Sequence, residues 1–383
     1  MKIGIDIRSL ASGRQSGVEE YVRGLLRELF LQGGEHEFIL FFNAWGSQEP
    51  DLSFATGFPN VTIKRFRLPN KLLNFLLWYM RLPKLDRLLG GVDVFFLPNM
   101  NFAAVSRKTK LVVTVHDLSF EWFPETFSWK QRLWHYLVNL RGLLRRADAL
   151  VAVSQATADD IHERYRIDRQ KIFTIHSGVN ENFGPLDRND IRLIEVQKKY
   201  QLPYRFILSL GTLEPRKNLI SLVRAYEAFH HTAVGELVKY ELVIAGPPGW
   251  KCEELLESIR RSPVKHHIHL LGFVDERDKA ALYTLASVFV YPSFYEGFGF
   301  PPLEALTCGI PVIASHSSSL PEVVGDAGLL IDPYRPDEIL QALRQVLSDK
   351  DLSLLLHERA LQNRHRFSWQ QSASEFLQLL KSL

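Results

Sequence analysis

The sequence predicts an α/β protein made of two Rossmann-like, doubly wound parallel-sheet domains facing each other across a cleft. Three observations predict it. At 383 residues the chain exceeds one ordinary hydrophobic core and suits two domains of roughly 150–200 residues. Short apolar runs of strand length alternate with helical patterns along most of it. The alternation halts at a polar stretch, 184–204, that carries Pro185 and Pro203, and then restarts. The domains are therefore drawn as 1–185 and 186–368, with a terminal helix at 369–383.

The first half opens with a buried-strand pattern, Met1 to Ile7, followed by a polar glycine-containing loop from Arg8 to Gly17. A helix is predicted over Val18–Leu31, with Glu19 and Glu20 in its first turn where they complement the helix dipole. Further strands are predicted at Phe38–Phe42, Val61–Phe66, Val92–Leu97, Leu111–Val115, Ala149–Val153 and Lys171–Ile175. Ser154 is a natural N-cap for the helix that follows it. In the second half, strands are predicted at Phe206–Leu210, Glu241–Ala245, Ile268–Leu271, Val288–Tyr291 and Pro311–Ala314. The helices between them are Leu219–Phe229, Cys252–Arg260, Arg277–Ala286 and Pro302–Thr307, with another from Pro336. The tail from Ser368 is a helix with Trp369, Phe376 and Leu379 on its apolar face.

Composition narrows the class. Hydrophobic residues at 46% and charged residues at 23% are the balance of a globular protein. Two cysteines give no disulfide framework, so a reducing, cytoplasmic setting is expected. Asp6 and Arg8 interrupt the first apolar run, which does not read as a signal peptide, and no apolar stretch is long enough to span a bilayer. The net charge of +3 is too small for a nucleic-acid partner; it divides as +5 for residues 1–183 and −2 for 184–383.

Three loops carry polar residues that the fold does not require. Open α/β sheets bind ligands beyond the carboxyl ends of their strands. Gly211 to Asn218 links a strand to a helix, with Gly211 for the turn, Asn218 as N-cap and Arg216 and Lys217 just before the helix N-terminus. Two cations and a helix N-terminus suit a diphosphate, although two solvated surface cations would look the same. The second loop, Tyr291 to Glu304, places carboxylates at Glu296 and Glu304, with Gly297 and Gly299 exposing backbone and Pro301 and Pro302 opening a helix. A carboxylate is a good acceptor for paired sugar hydroxyls, and Glu304 in a first turn also balances the dipole. The third, Gly13 and Gly17 behind the first strand, is a weak signal that fits a plain turn equally well. His116 and Asp117 end the strand Leu111–Val115; the histidine either reaches the cleft or bonds its neighbour, and Asp117 can cap the next segment. No H-E-x-x-H, paired C-x-x-C, P-loop or nucleophile elbow occurs, so metal, NTPase and hydrolase readings have no motif.

Several runs are familiar together. SLGTLEPRKNLISLVRAY, ELVIAGPPGW and HLLGFVDERDKAALYTLASVFVYPSFYEGFGFPPLEALTCGIPVIAS resemble the retaining glycosyltransferases of family 4, as do TVHDLSF, ADALVAVSQATADDI and HSGVN in the first half. The Glu296-x7-Glu304 spacing is the most specific element, and the likeness is strongest to bacterial mannosyltransferases of surface polysaccharide synthesis, including lipopolysaccharide. The resemblance implies a GT-B fold, with the nucleotide-sugar donor on the C-terminal domain and the acceptor on the N-terminal one, onto which the last helix would pack. It implies that Arg216 and Lys217, after Gly211, hold the donor diphosphate. Glu304 would take the ribose, the backbone near Val274 the base, and Glu296 with Phe298, Gly299 and Phe300 the transferred sugar. Gly17 would line the diphosphate and His116 would sit at the reacting centre. No cofactor and no metal are expected, since the two cations would carry the diphosphate charge. GDP-mannose is the implied donor and a glycan or lipid-linked saccharide the acceptor. An epimerase or phosphorylase of the same architecture, or a glucosyl- or galactosyltransferase using a UDP-sugar, remains open. Here the loop reads Ser16-Gly17-Val18-Glu19, with an acid where many relatives have a basic residue.

Two stretches bear on membranes. Lys71–Arg87 and Trp129–Arg146 combine apolar, aromatic and basic residues. Either could lie peripherally on an anionic bilayer. The more economical expectation is a core-facing amphipathic helix.

Overall fold

The computed structural model describes residues 1–12, 16–45 and 51–383. Gly13 lies outside them. The chain forms two units: Met1–Phe120 with Trp129–Gly178 and Phe367–Leu383, and Glu121–Ser128 with Val179–Arg366. The division falls at 178/179 and 366/367, where the sequence reading drew 185/186 and 368/369. The segment Glu121–Ser128 belongs to unit 2, held there by the Phe127 ring stacked on Trp250 at 5.8 Å and by the Trp250 indole N–H donating to the Thr126 carbonyl. Its sequence inside the first half hides that membership.

Unit 1 contains a seven-stranded parallel sheet in the order β3-β2-β1-β4-β5-β6-β7. The strands are β1 (Lys2–Asp6), β2 (Glu37–Asn43), β3 (Val61–Phe66), β4 (Val94–Leu97), β5 (Lys110–Val115), β6 (Ala149–Ala152) and β7 (Ile172–Thr174). Unit 2 repeats the scheme with six, β10-β9-β8-β11-β12-β13. These are β8 (Phe206–Leu210), β9 (Glu241–Ala245), β10 (Ile268–Gly272), β11 (Val288–Tyr291), β12 (Val312–Ser315) and β13 (Gly328–Ile331). Each order reverses once, between β1 and β4 and between β8 and β11. The near-continuous apolar strands follow from burial on both faces. In unit 2, Phe206, Leu208 and Leu210 enter one core with Phe289 and Tyr291, while Ile207 enters the opposite core with Val288 and Val290.

The terminal helix Trp369–Ser382 packs within unit 1 against the helix Gly17–Gln32. Phe376 meets Phe96 at 4.5 Å, and Trp369 fills the space that a side chain at Gly24 would need, its indole only 2.3 Å from an ideal Cβ there. No helix of the described residues is long and apolar enough to cross a membrane.

The expectation of core-facing helices holds for the leucines of the two aromatic stretches, with Leu73, Leu77, Leu85, Leu140 and Leu144 in the unit 1 core, and fails for the aromatics themselves. None of the side chains of the helix Trp129–Val138 is buried. Over Asn70–Met80 only Leu73 and Leu77 are buried, and Phe75, Trp78 and Tyr79 are exposed.

Candidate functional site

The point where the order of the unit 2 sheet reverses brings together three of the charged residues singled out in the sequence, Arg216, Lys217 and Glu296, while Glu304 stands apart from them. The β8 loop and the β11 loop leave neighbouring strands at their carboxyl ends, as ligand loops do in open sheets. They are fastened to each other by backbone: the Phe294 amide donates to the Arg216 carbonyl at 2.9 Å.

Three buried charges, Glu214, Lys217 and Glu296, meet the partly buried Arg216 there. Arg216 donates to Glu214 at 2.7 Å and pairs with Glu296 at 2.7 Å, and it also reaches the Tyr295 carbonyl at 2.6 Å. Lys217 pairs with the other oxygen of Glu296 at 2.7 Å and donates to the Tyr291 hydroxyl at 2.5 Å. The Ser293 hydroxyl adds a bond to Glu296 at 2.6 Å. Lys217 and Glu296 are 9% and 7% exposed, so these are not solvated surface ions. Burial raises the Glu296 carboxyl, but Arg216 and Lys217 outweigh it and hold the group at about 2. Burial draws the Lys217 ammonium below its ordinary value, against the pull of the same carboxylate. Burial also pushes the Tyr291 phenol well above its usual value, with the Glu296 charge adding to it.

Asn218 stands at the N-cap position of the helix Leu219–Thr232, as expected, but its side chain does not cap it. At φ 55° the amide turns away and donates to the carbonyls of Pro292 and Pro333, at 3.1 and 2.6 Å. It ties three loops instead.

Gly211 and Gly246 explain how the β8 and β9 ends come so close. An ideal Cβ on Gly246 (φ +139°) would fall 1.9 Å from the Gly211 carbonyl oxygen. Gly246 was not singled out from the sequence; the Ala-Gly-Pro-Pro-Gly run at 245–249 carried the signal. Glu214 was missed too, although it lies two residues before Arg216 in the same loop.

Glu304 is 1% exposed and sits in the helix Phe300–Thr307, two residues further in than expected and past the first turn, because the helix starts at Phe300 rather than Pro302. First-turn dipole balance therefore does not account for it. The Tyr283 hydroxyl donates to it at 2.8 Å and Lys279 lies 3.7 Å away. Burial raises its carboxyl above the ordinary range. Gly299 caps that helix at φ +114°, and a Cβ there would meet Leu320 at 2.9 Å. The Phe298 carbonyl accepts from Ser319 at 2.6 Å, and the Phe298 and Phe300 rings meet edge to face at 5.6 Å. Val274 is buried beside these elements, in the core of that sheet face.

Unit 1 holds the remaining two. Gly17 is the first residue of its helix, behind the N-cap Ser16, whose hydroxyl accepts from the Glu19 amide. The unexpected acid, Glu19, is paired with Arg23 at 2.9 Å. His116 follows β5; its Nε2 lies 2.8 Å from the Pro98 carbonyl and its ring stands edge-on to Tyr21 at 4.7 Å. Burial lowers its pKa. Asp117 caps the next turn, accepting from the Ser119 amide and hydroxyl at 3.1 and 2.8 Å.

Comparison with known proteins agrees with this arrangement. The model of glycosyltransferase family 4 matches residues 15–183, and that of the group 1 glycosyl transferases matches 191–366. The O-antigen chain mannosyltransferase B of Escherichia coli is 34% identical over 284 residues, 74% of this chain and 73% of that protein. The chain belongs to glycosyltransferase family 4. This glycosyltransferase is also 34% identical over 284 residues to the serotype-specific mannosyltransferase WbdA of E. coli, a match covering 71% of the chain but 34% of that longer protein. Among solved structures, sucrose-phosphate synthase from Thermosynechococcus elongatus has a TM-score of 0.76 at 19% identity, covering 100% of this chain and 98% of that one. Anabaena HepE in complex with UDP-glucose has a TM-score of 0.73 at 20% identity, with both chains fully covered at 100%. At such identities the likeness is one of fold, and the fold is GT-B.

Proposed function

We propose that this glycosyltransferase moves mannose from GDP-mannose to a glycan or lipid-linked saccharide, with retention of anomeric configuration and without a metal. The two mannosyltransferase relatives support the sugar. The observation that carries the chemistry is the pair Arg216 and Lys217, the lysine buried, sharing one carboxylate in front of a helix N-terminus.

When the bond from sugar to diphosphate breaks, negative charge grows on the phosphate oxygens. Cations already fixed in a buried site stabilise that charge more than the ground state, and no reorganisation is needed at the moment of reaction. Arg216 and Lys217 are fixed in this way by Glu214, Glu296 and Tyr291. In this reading Glu296 acts on the transferred sugar chiefly through them. Its oxygens already serve two cations and Ser293, and at about 2 its carboxyl has no proton to give. The acceptor oxygen bonds to the anomeric carbon on the face the diphosphate leaves, and the departing phosphate takes the proton of the acceptor hydroxyl. Glu304, held by Tyr283, takes the ribose hydroxyls, and the backbone at Val274 takes the base. The turn at Gly299, with Phe298 and Phe300, lines the sugar. Gly17 and His116 are assigned to the diphosphate and the reacting sugar. The acceptor binds unit 1, close to the cytoplasmic face of the membrane where a lipid-linked saccharide is reached.

A thermal-shift series with GDP, UDP, ADP and their sugars tests the donor. GDP-mannose is expected to raise the melting temperature most, by mass action. A larger shift with a UDP-sugar overturns the donor. NMR of the product distinguishes retention from inversion, and turnover unchanged by a chelator is the expected result for a metal-free site.

A further inference from the structure

Two exposed segments of unit 1 share an unusual chemistry. Residues 67–85 hold four Lys or Arg and residues 129–147 hold five, with no Asp or Glu in either. Between the cations stand large apolar side chains in water: Tyr79 is 72% exposed, Trp129 69% and Tyr136 81%. Phe75 stacks against Tyr79 at 5.7 Å and 12°. The segments are neighbours. Arg8 donates to Asn74 at 3.4 Å and to the Phe102 carbonyl at 2.7 Å, and the Phe102 ring meets Trp134 at 6.1 Å.

We propose that this face of unit 1 docks on an anionic lipid bilayer. The charge argues for it: Lys71, Arg81, Lys130, Arg132, Arg141 and Arg145 offer cations with no carboxylate interspersed. A negatively charged surface is the complement, and each basic residue near it adds to binding. Trp and Tyr favour the interface of water and hydrocarbon, where the ring is buried and the polar tip stays wet. Stable attachment without a spanning helix needs two signals, apolar insertion and charge, and this face supplies both. The proposal specifies the membrane contact of the functional reading, yet its test uses neither donor nor acceptor, so each can fail without the other.

The test is flotation of the full chain with vesicles of phosphatidylcholine alone and of phosphatidylcholine with phosphatidylglycerol. Wild type is expected to float only with the anionic vesicles and to be released as salt rises. Lys130→Gln and Arg132→Gln should each lower partitioning about fivefold. Trp78→Ser with Tyr79→Ser should lower it as well, with the melting temperature unchanged in every variant. Equal binding to both vesicle types, or variants that bind like wild type, overturns the proposal. So does sedimentation showing that the wild type is a dimer which Trp78→Ser with Tyr79→Ser splits, because the face would then be covered by a second copy.

Discussion

The two sheets reverse their strand order at corresponding places, and the charges placed there do different work. After β1, Arg8 is paired with Asp6 at 2.6 Å and spends its other donors on Asn74 and the Phe102 carbonyl. One cation meets one carboxylate two residues away, and the result is a strut between loops. After β8, two adjacent cations share a carboxylate that arrives from the β11 loop, 79 residues on. They stand before the 14-residue helix Leu219–Thr232, whereas Arg8 runs into a short 3-10 turn. The same topology thus supports a single ion pair in one unit and, in the other, a balanced cluster of two cations and two carboxylates that joins two loops. What separates them is the number of cations and the reach of their partner.

The largest effect should come from the close backbone approach that builds the unit 2 site. Gly246→Ala puts a methyl group 1.9 Å from a backbone oxygen at positive φ, and a loss of about 4 kcal/mol is expected in urea unfolding. Gly4→Ala in β1 meets only side-chain atoms, the nearest Leu89 at 2.8 Å, and about 1–2 kcal/mol is expected. Equal losses would remove the distinction between the two strand ends.

Lys217→Ala comes next. Turnover should fall about 100-fold or more, mostly in kcat, because the lost interaction strengthens in the transition state. Arg8→Lys in unit 1 should act on stability and leave kcat nearly unchanged.

The pH dependence is the third. Glu296 is held at about 2 against an ordinary 4.5, so its ion pairs add stability above the unfolded value, lost as pH falls from about 5 towards 2. That shift amounts to about 3 kcal/mol. Glu296→Gln should lower stability at pH 7 and flatten its decline in acid. A variant with the same acid slope as wild type would mean that the site contributes nothing to it.

Much of this was legible in the sequence, and the gaps have physical causes. Among the described residues, twelve of the thirteen strands follow from apolar runs; β13 (Gly328–Ile331) was missed because it opens on a glycine and is flanked by turn residues, Gly325 and Asp326 before it and Asp332 and Pro333 after it. Arg216, Lys217, Glu296 and Glu304 were found because charged residues at strand ends have no packing reason to be there. Their partners were not. Glu214 is paired by a turn, Tyr283 and Tyr291 read as core aromatics, and Ser293 carries no pattern. Such side chains acquire meaning only when the β11 loop folds back on the β8 loop. The two aromatic stretches were noticed, but the sequence left open whether they are covered, since periodicity says which residues share a face and not what covers it. Tyr136→Ser should therefore change stability by less than about 0.5 kcal/mol, the smallest effect of the set, measured by urea unfolding.

The most direct measurement is the affinity increment of GDP over GMP, compared between wild type and Lys217→Gln by calorimetry. Both ligands share base and ribose, so the increment isolates the second phosphate, and a general folding defect would weaken both alike. A buried charge-assisted contact to that phosphate predicts an increment smaller by about tenfold or more in the variant. An increment that survives intact would contradict the assignment of the cation pair to the diphosphate.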